Sequence, residues 1–172
     1  EDPTTYMNDS ILQLAKKGAD FVVIPCNTSH YFYDGFIKNI DIPVLNIIQE
    51  TSNYIKNNNP NISKVGLMSS KNTSKYKLYN KFLENDEIDI ILPEDQKEVS
   101  DIIESVKVGN DGEKVQIKAK QVAIKLIENG AQGLILGCTE IPLVINVSDF
   151  SIPIFDSNKI LALACIDKIR AS

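Results

Sequence analysis

Short runs of consecutive apolar residues, too brief for buried helices and too continuous for one-sided strands, constrain the fold of this chain most. Phe21-Val-Val-Ile24, Val65-Gly-Leu-Met68 and Leu134-Ile-Leu136 are such runs, and Ile88-Asp-Ile-Ile91, interrupted by Asp89, reads as another strand. A strand with no polar side belongs in a parallel sheet covered by helices on both faces. Val44-Leu-Asn46 and Ile152-Pro-Ile-Phe155 read as two further strands. Between them lie segments of helical period. Asp2-Pro3 opens a helix that Gly18 stops, and short helices are predicted over Tyr31 to Lys38, Gln49 to Lys56 and Ser74 to Leu83. Asp95 to Val106 places Val99, Ile102, Ile103 and Val106 on one face, and the helix after Gly112 does the same with Val115, Ala119, Val122, Ala123, Leu126 and Ile127 before Gly130. Asp156-Ser157 caps a terminal helix running to about Arg170. Strands alternating with helices predict an α/β fold. Asn57-Asn-Asn-Pro60-Asn61 is the sharpest polar break, so a boundary is expected there, with residues 1–58 in a first α/β domain and 59–150 in a second.

The composition of the 172 residues, 43% hydrophobic and 24% charged, is that of a globular protein, and no apolar run approaches the ~20 residues of a membrane span. The opening Glu-Asp-Pro-Thr-Thr has neither a basic start nor an apolar run, so no secretory signal is read there and a cytoplasmic location is expected. A net charge of −5 with scattered lysines argues against nucleic acid as a partner. One histidine and dispersed carboxylates make no metal-ligand set. The three cysteines, Cys26, Cys138 and Cys165, have neither CxxC spacing nor the density of a disulfide scaffold and are expected as free thiols.

Two of these thiols occur in an internal echo. Gly18-Ala-Asp-Phe-Val-Val-Ile-Pro-Cys26-Asn-Thr28 aligns with Gly130-Ala-Gln-Gly-Leu-Ile-Leu-Gly-Cys138-Thr-Glu140. In each half a helix ends at Gly-Ala, an apolar strand follows, and a cysteine stands eight residues after the glycine, beyond the strand's carboxyl end. Ligands of open parallel sheets bind at that end. Two such domains facing each other would put the thiols on opposite sides of one cleft, which marks Cys26 and Cys138 as candidate catalysts. Cys165, set among Leu161, Leu163, Ala164, Ile166 and Ile169, reads as a small inert hydrophobe.

At Pro25-Cys-Asn-Thr-Ser-His30 and Gly137-Cys-Thr-Glu-Ile-Pro142 the sequence resembles the aspartate/glutamate racemase family, and more closely its aspartate racemase branch. Glutamate racemases typically carry histidine where Glu140 stands here. Ser105-Val-Lys107-Val-Gly109 is similar to the family's Leu-Lys-x-Gly element, and the likeness extends along nearly all of the chain. It implies two pseudo-symmetric domains, each a parallel sheet flanked by helices, with the active site in the cleft between them, and a last strand and helix, 151–172, that return to the first domain. It also implies a homodimer and a small acidic amino acid as substrate. Family members begin with a strand, a helix and a second strand that have no counterpart here; that part carries a Gly-rich turn for the α-carboxylate and a basic residue often used for substrate selection.

The activity implied is interconversion of L- and D-aspartate, or glutamate, without a cofactor. Removing a weakly acidic α-proton from one face and delivering another to the opposite face calls for two catalysts, and a thiol suits both roles because thiol and thiolate lie close in energy near neutral pH. Asn27, Thr28 and Thr139, with backbone N–H groups at the helix starts after each cysteine, are candidates to hold the α-carboxylate, or equally plain N-caps. Lys107 is the candidate for the distal carboxylate. His30, four residues after Cys26, is expected to tune that thiol or fix its loop. Glu140 either assists proton exchange at Cys138 or caps the following turn. Rival readings are a hydantoin racemase or maleate isomerase on the same scaffold, and a non-catalytic small-molecule binding protein.

Overall fold

The computed structural model describes residues 2–84 and 87–171. In chain order the elements are α1 (Thr4–Lys16), β1 (Val22–Val23), α2 (Tyr33–Phe36), β2 (Val44–Leu45), α3 (Ile47–Asn58), β3 (Lys64–Ser69), α4 (Lys71–Lys75), α5 (Asn80–Leu83), β4 (Asp89–Ile91), α6 (Gln96–Lys107), α7 (Glu113–Glu128), β5 (Leu134–Gly137), β6 (Ile154–Asp156) and α8 (Ser157–Arg170). Local signals set most helix starts. Asn46 accepts from the N–H groups of Ile48 and Gln49, Asp95 from Lys97, and Asp156 from Asn158 and Lys159, each satisfying donors that a first helical turn leaves free. Gly18 and Gly130, which follow α1 and α7, have φ of 92° and 98°, a region that favours glycine.

All strand pairs are parallel, as the unbroken apolar runs predict. Val22 and Val23 lie opposite Val44 and Leu45 in a two-stranded sheet, and β4-β3-β5-β6 form a second sheet with β3 and β5 at its centre. Alternate residues of each strand serve different cores. Val22 and Val44 join Ile11 of α1 and Phe36 of α2 in a small core. The neighbouring pair, Val23 and Leu45, turns to a second core that holds Ile47, Ile48 and Ile55 of α3 and Ile160 and Leu161 of α8. Val65, Leu67, Ile135 and Phe155 enter that same core from the larger sheet. Met68, Leu134 and Leu136 pack on the other side against Ile102 and Val106 of α6 and Val122 and Leu126 of α7. The helix pair α3 and α8 is thus a layer shared by both sheets. Each fully buried isoleucine contributes about 1.5–3 kcal/mol, so the three in α3 outweigh the few tenths per residue that separate ordinary helix propensities. Gly66 allows the closest approach in the third core, because a Cβ there would lie 2.7 Å from Leu134 Cδ2 and 3.0 Å from Leu126 Cβ.

The structure departs from the sequence expectations in three places. The hydrophobic core does not divide at residue 58, since α3 packs on the larger sheet. The returning strand does not rejoin the first sheet: Ile154, Phe155 and Asp156 pair with Leu134, Ile135 and Leu136, while β6 and α8 both touch α3 and α8 also reaches β2. The helix expected over Ser74 to Leu83 is two short helices, α4 and α5, separated by a turn in which Lys77 has a φ of 51°. That turn buries Leu78 and Tyr79. None of the described helices is long and apolar enough to cross a membrane.

Candidate active site

Both halves of the sequence echo end at the carboxyl edge of a parallel strand. After β1, the Cys26 N–H donates to the Ile24 carbonyl at 2.8 Å, a tight turn that leaves Cys26 exposed. Thr28 then starts a 3-10 turn, Thr28–Phe32. After β5, Cys138 is half-buried and Ile141–Leu143 forms a second 3-10 turn. In both places a cysteine stands just ahead of a short helical turn; in the second the Ile141 N–H already donates to the Cys138 carbonyl at 3.2 Å and Pro142 has no N–H to offer.

Cys138 is the more constrained thiol. It donates to Glu140 Oε2 at 3.0 Å, and Thr139 Oγ1 donates to the same oxygen at 2.9 Å. Burial first, then the hydrogen bond and charge of Glu140, push the Cys138 thiol up to about 12, so it stands protonated across the neutral range. Burial also acts against the Glu140 carboxylate, but the donors Cys138 and Thr139 outweigh it and hold its pKa below the ordinary value. Of the two alternatives for Glu140, the contact with Cys138 is the one formed; its side chain caps no turn. Lys107 ends α6, half-exposed and 3.3 Å from Glu104 Oε1. Its positive charge acts on both Cys138 and Glu140 without a hydrogen bond to either.

Around Cys26 the expected residues divide. Thr28 Oγ1 lies 2.7 Å from Ser70 Oγ and 2.9 Å from Thr73 Oγ1, a cluster of hydroxyls where the Cys26 loop meets the start of α4. His30 is buried, and its Nδ1 donates to the Cys26 carbonyl at 2.9 Å, so the ring holds the loop's backbone. Burial lowers its pKa, outweighing the carbonyls of Cys26 and Leu45 that favour the charged ring; Nε2 makes no hydrogen bond. Asn27 caps nothing with its side chain and is only 3% exposed. Its Oδ1 accepts from the Tyr79 hydroxyl at 2.7 Å, and its Nδ2 donates to Ser157 Oγ at 3.1 Å. Ser157 Oγ in turn donates to the Leu136 carbonyl at 2.9 Å.

Tyr79 and Ser157 carry no functional signal in the sequence. Tyr79 falls in a predicted helix, and Ser157 reads as part of a cap, which Asp156 provides alone. Yet they tie the Cys26 loop to the strand that ends at Cys138. The Tyr79 ring also packs at Gly137, where a Cβ would lie 3.3 Å from its Cε2. Cys165 sits half-buried on α8, among the apolar residues expected around it.

The chain as a whole has recognisable relatives. The family described as Asp/Glu/Hydantoin racemase matches residues 1–165. The chain belongs to that family. The broad specificity amino-acid racemase RacX of Bacillus subtilis (strain 168) is 28% identical over 164 residues, covering 95% of this chain and 70% of that protein. Among solved structures, the aspartate racemase of Picrophilus torridus superposes with a TM-score of 0.85 at 31% identity, over 98% of this chain and 70% of the other. A glutamate racemase from Francisella tularensis subsp. tularensis SCHU S4, solved in complex with D-glutamate, shares the fold with a TM-score of 0.71 at 19% identity, over 96% of this chain and 64% of the other. The α/β fold of parallel sheets flanked by helices is therefore that of the racemases.

Proposed function

We propose that this chain is a cofactor-independent amino-acid racemase that interconverts L- and D-aspartate, with Cys26 and Cys138 as the two proton carriers. The observation that carries the reading is the Cys138–Glu140 pair: a strand-end thiol kept protonated by burial and by an acceptor that has no structural task of its own. In one direction Cys26, as thiolate, takes the α-proton. Cys138 then gives its proton to the opposite face of the carbanion-like centre and becomes the thiolate. Electrons return to the α-carbon as the S–H bond of Cys138 breaks, so the step is balanced and no redox partner is needed. The reverse direction exchanges the roles.

The developing negative charge calls for donors already in place. Thr28 and Thr139 supply hydroxyls next to the thiols for the substrate α-carboxylate. Lys107 offers a cation for the side-chain carboxylate of an acidic substrate, on the Cys138 side. The reading extends to a homodimer in the cytoplasm.

The direct test is incorporation of deuterium at Cα during incubation in heavy water, run with L- and D-aspartate, glutamate, neutral amino acids, a hydantoin and maleate. Deuterium uptake with loss of optical activity on aspartate is expected. Cys26→Ser and Cys138→Ser each abolish it in both directions, and Cys165→Ala keeps it. Full activity in either of the first two variants overturns the two-thiol reading, and turnover of a hydantoin or maleate alone reassigns the substrate.

A further inference from the structure

The direction of each hydrogen bond between the two cysteine loops follows from one end. The Leu136 carbonyl can only accept, so Ser157 gives it the single hydroxyl proton. Ser157 Oγ must then accept from Asn27, which sets the Asn27 amide nitrogen toward Ser157 and its oxygen toward Tyr79. Tyr79 has no choice but to donate. Every polar atom of this path is buried, where an unmatched group is costly. The path runs from Asn27, one residue after Cys26, through Ser157 at the start of α8 to Leu136, two residues before Cys138, while Tyr79, from the turn between α4 and α5, holds the other end of the Asn27 amide.

From this geometry we infer that Tyr79 and Ser157 are positioning residues which, through Asn27, lock the two cysteine-bearing strand ends into one relative placement. The inference rests on the racemase reading for its consequence in catalysis, and on hydrogen bonds alone for the lock itself. Two carriers that serve one carbon must hold their separation closely, because misplacement of about 1 Å can cost on the order of 100-fold in rate. A direct covalent or backbone link between the loops would do the same work, but they lie in different sheets and share no ladder. The Tyr79 ring at Gly137 adds an apolar contact to the same bridge.

The test uses the whole chain with Tyr79→Phe, Ser157→Ala and the double substitution, each checked for an unchanged far-ultraviolet spectrum. Amide hydrogen exchange is followed in peptides covering 24–28 and 136–139, a readout that needs no turnover. Ser157→Ala, which breaks the path, is expected to speed exchange at least threefold in both peptides, and the double variant no more than Ser157→Ala alone; Tyr79→Phe, which frees the outer end of the Asn27 amide, gives a smaller rise in the same two peptides. Faster exchange in only one peptide, or additive effects, overturns the lock. Should Tyr79→Phe fail to fold, Ser157→Ala carries the same comparison. In steady-state kinetics kcat falls roughly 10- to 100-fold in both directions, with KM held within about threefold. A rise in KM with kcat retained overturns the positioning role. If the unaltered chain exchanges no α-proton, the racemase reading fails while the exchange data still judge the lock.

Discussion

Replacing Glu140 by glutamine tests the acid–base assignment at its most definite point. With a pKa of about 12, Cys138 carries a thiolate fraction of about 10⁻⁴ at pH 8. Relative to an ordinary thiol, ionisation there costs about 2–4 kcal/mol more, once solvent screening at a half-buried site is allowed for. Burial is the largest cause and survives the substitution; the hydrogen bond to Glu140 and its charge are the next two and do not. Glutamine can also turn an N–H toward the sulfur and favour the thiolate. The Cys138 ionisation should therefore move down by about one pH unit or more while staying above the ordinary thiol range. In a Cys26→Ser background, alkylation of Cys138 by iodoacetamide at pH 8, followed by peptide mass, is expected to run about tenfold faster in Glu140→Gln. An identical pH profile in the two proteins refutes the role given to Glu140. A profile at the ordinary thiol position in the parent refutes the protonated resting state itself.

Gly66→Ala forces a Cβ to 3.0 Å from Leu126 Cβ, which is fixed to the α7 backbone, and should cost on the order of 1–3 kcal/mol in urea unfolding. His30 is held neutral by burial, so the unfolded chain takes up a proton first as pH falls below 6.5; the stability present above that value is lost on acidification. His30→Asn, which can still donate to the Cys26 carbonyl, should flatten the decline of Tm between pH 6.5 and about pH 5. Lys107→Ala should raise KM for aspartate about tenfold and leave neutral amino acids unaffected, a split measurable in competing racemisation assays.

The strands were legible because their chemistry is local: an unbroken apolar run such as Leu134-Ile-Leu136 has no place except between two layers of helices. Glycines after α1 and α7 and the caps at Asn46, Asp95 and Asp156 marked helix limits for equally local reasons. The echo around Cys26 and Cys138 pointed to the candidate site because it repeated a whole strand-and-loop unit. What periodicity could not convey was distance along the chain. The break at Lys77 exists because Tyr79 must reach Asn27, 52 residues earlier, and nothing near Tyr79 in sequence announces that partner. Ser157 was hidden in the same way, its cap-like position concealing hydroxyl contacts to Leu136 and Asn27. The partner of β6 was likewise not legible in the residues of Ile152-Pro-Ile-Phe155.

The helix layer between the sheets ties the two halves of the chain together. A fragment ending at residue 58 would carry Ile47, Ile48 and Ile55 with half their neighbours gone, and one beginning at residue 59 would have Val65, Leu67 and Ile135 bared to water where α3 had covered them. Either piece is therefore expected to be less stable without its complement, because the two halves of the doubled sequence pattern share that core.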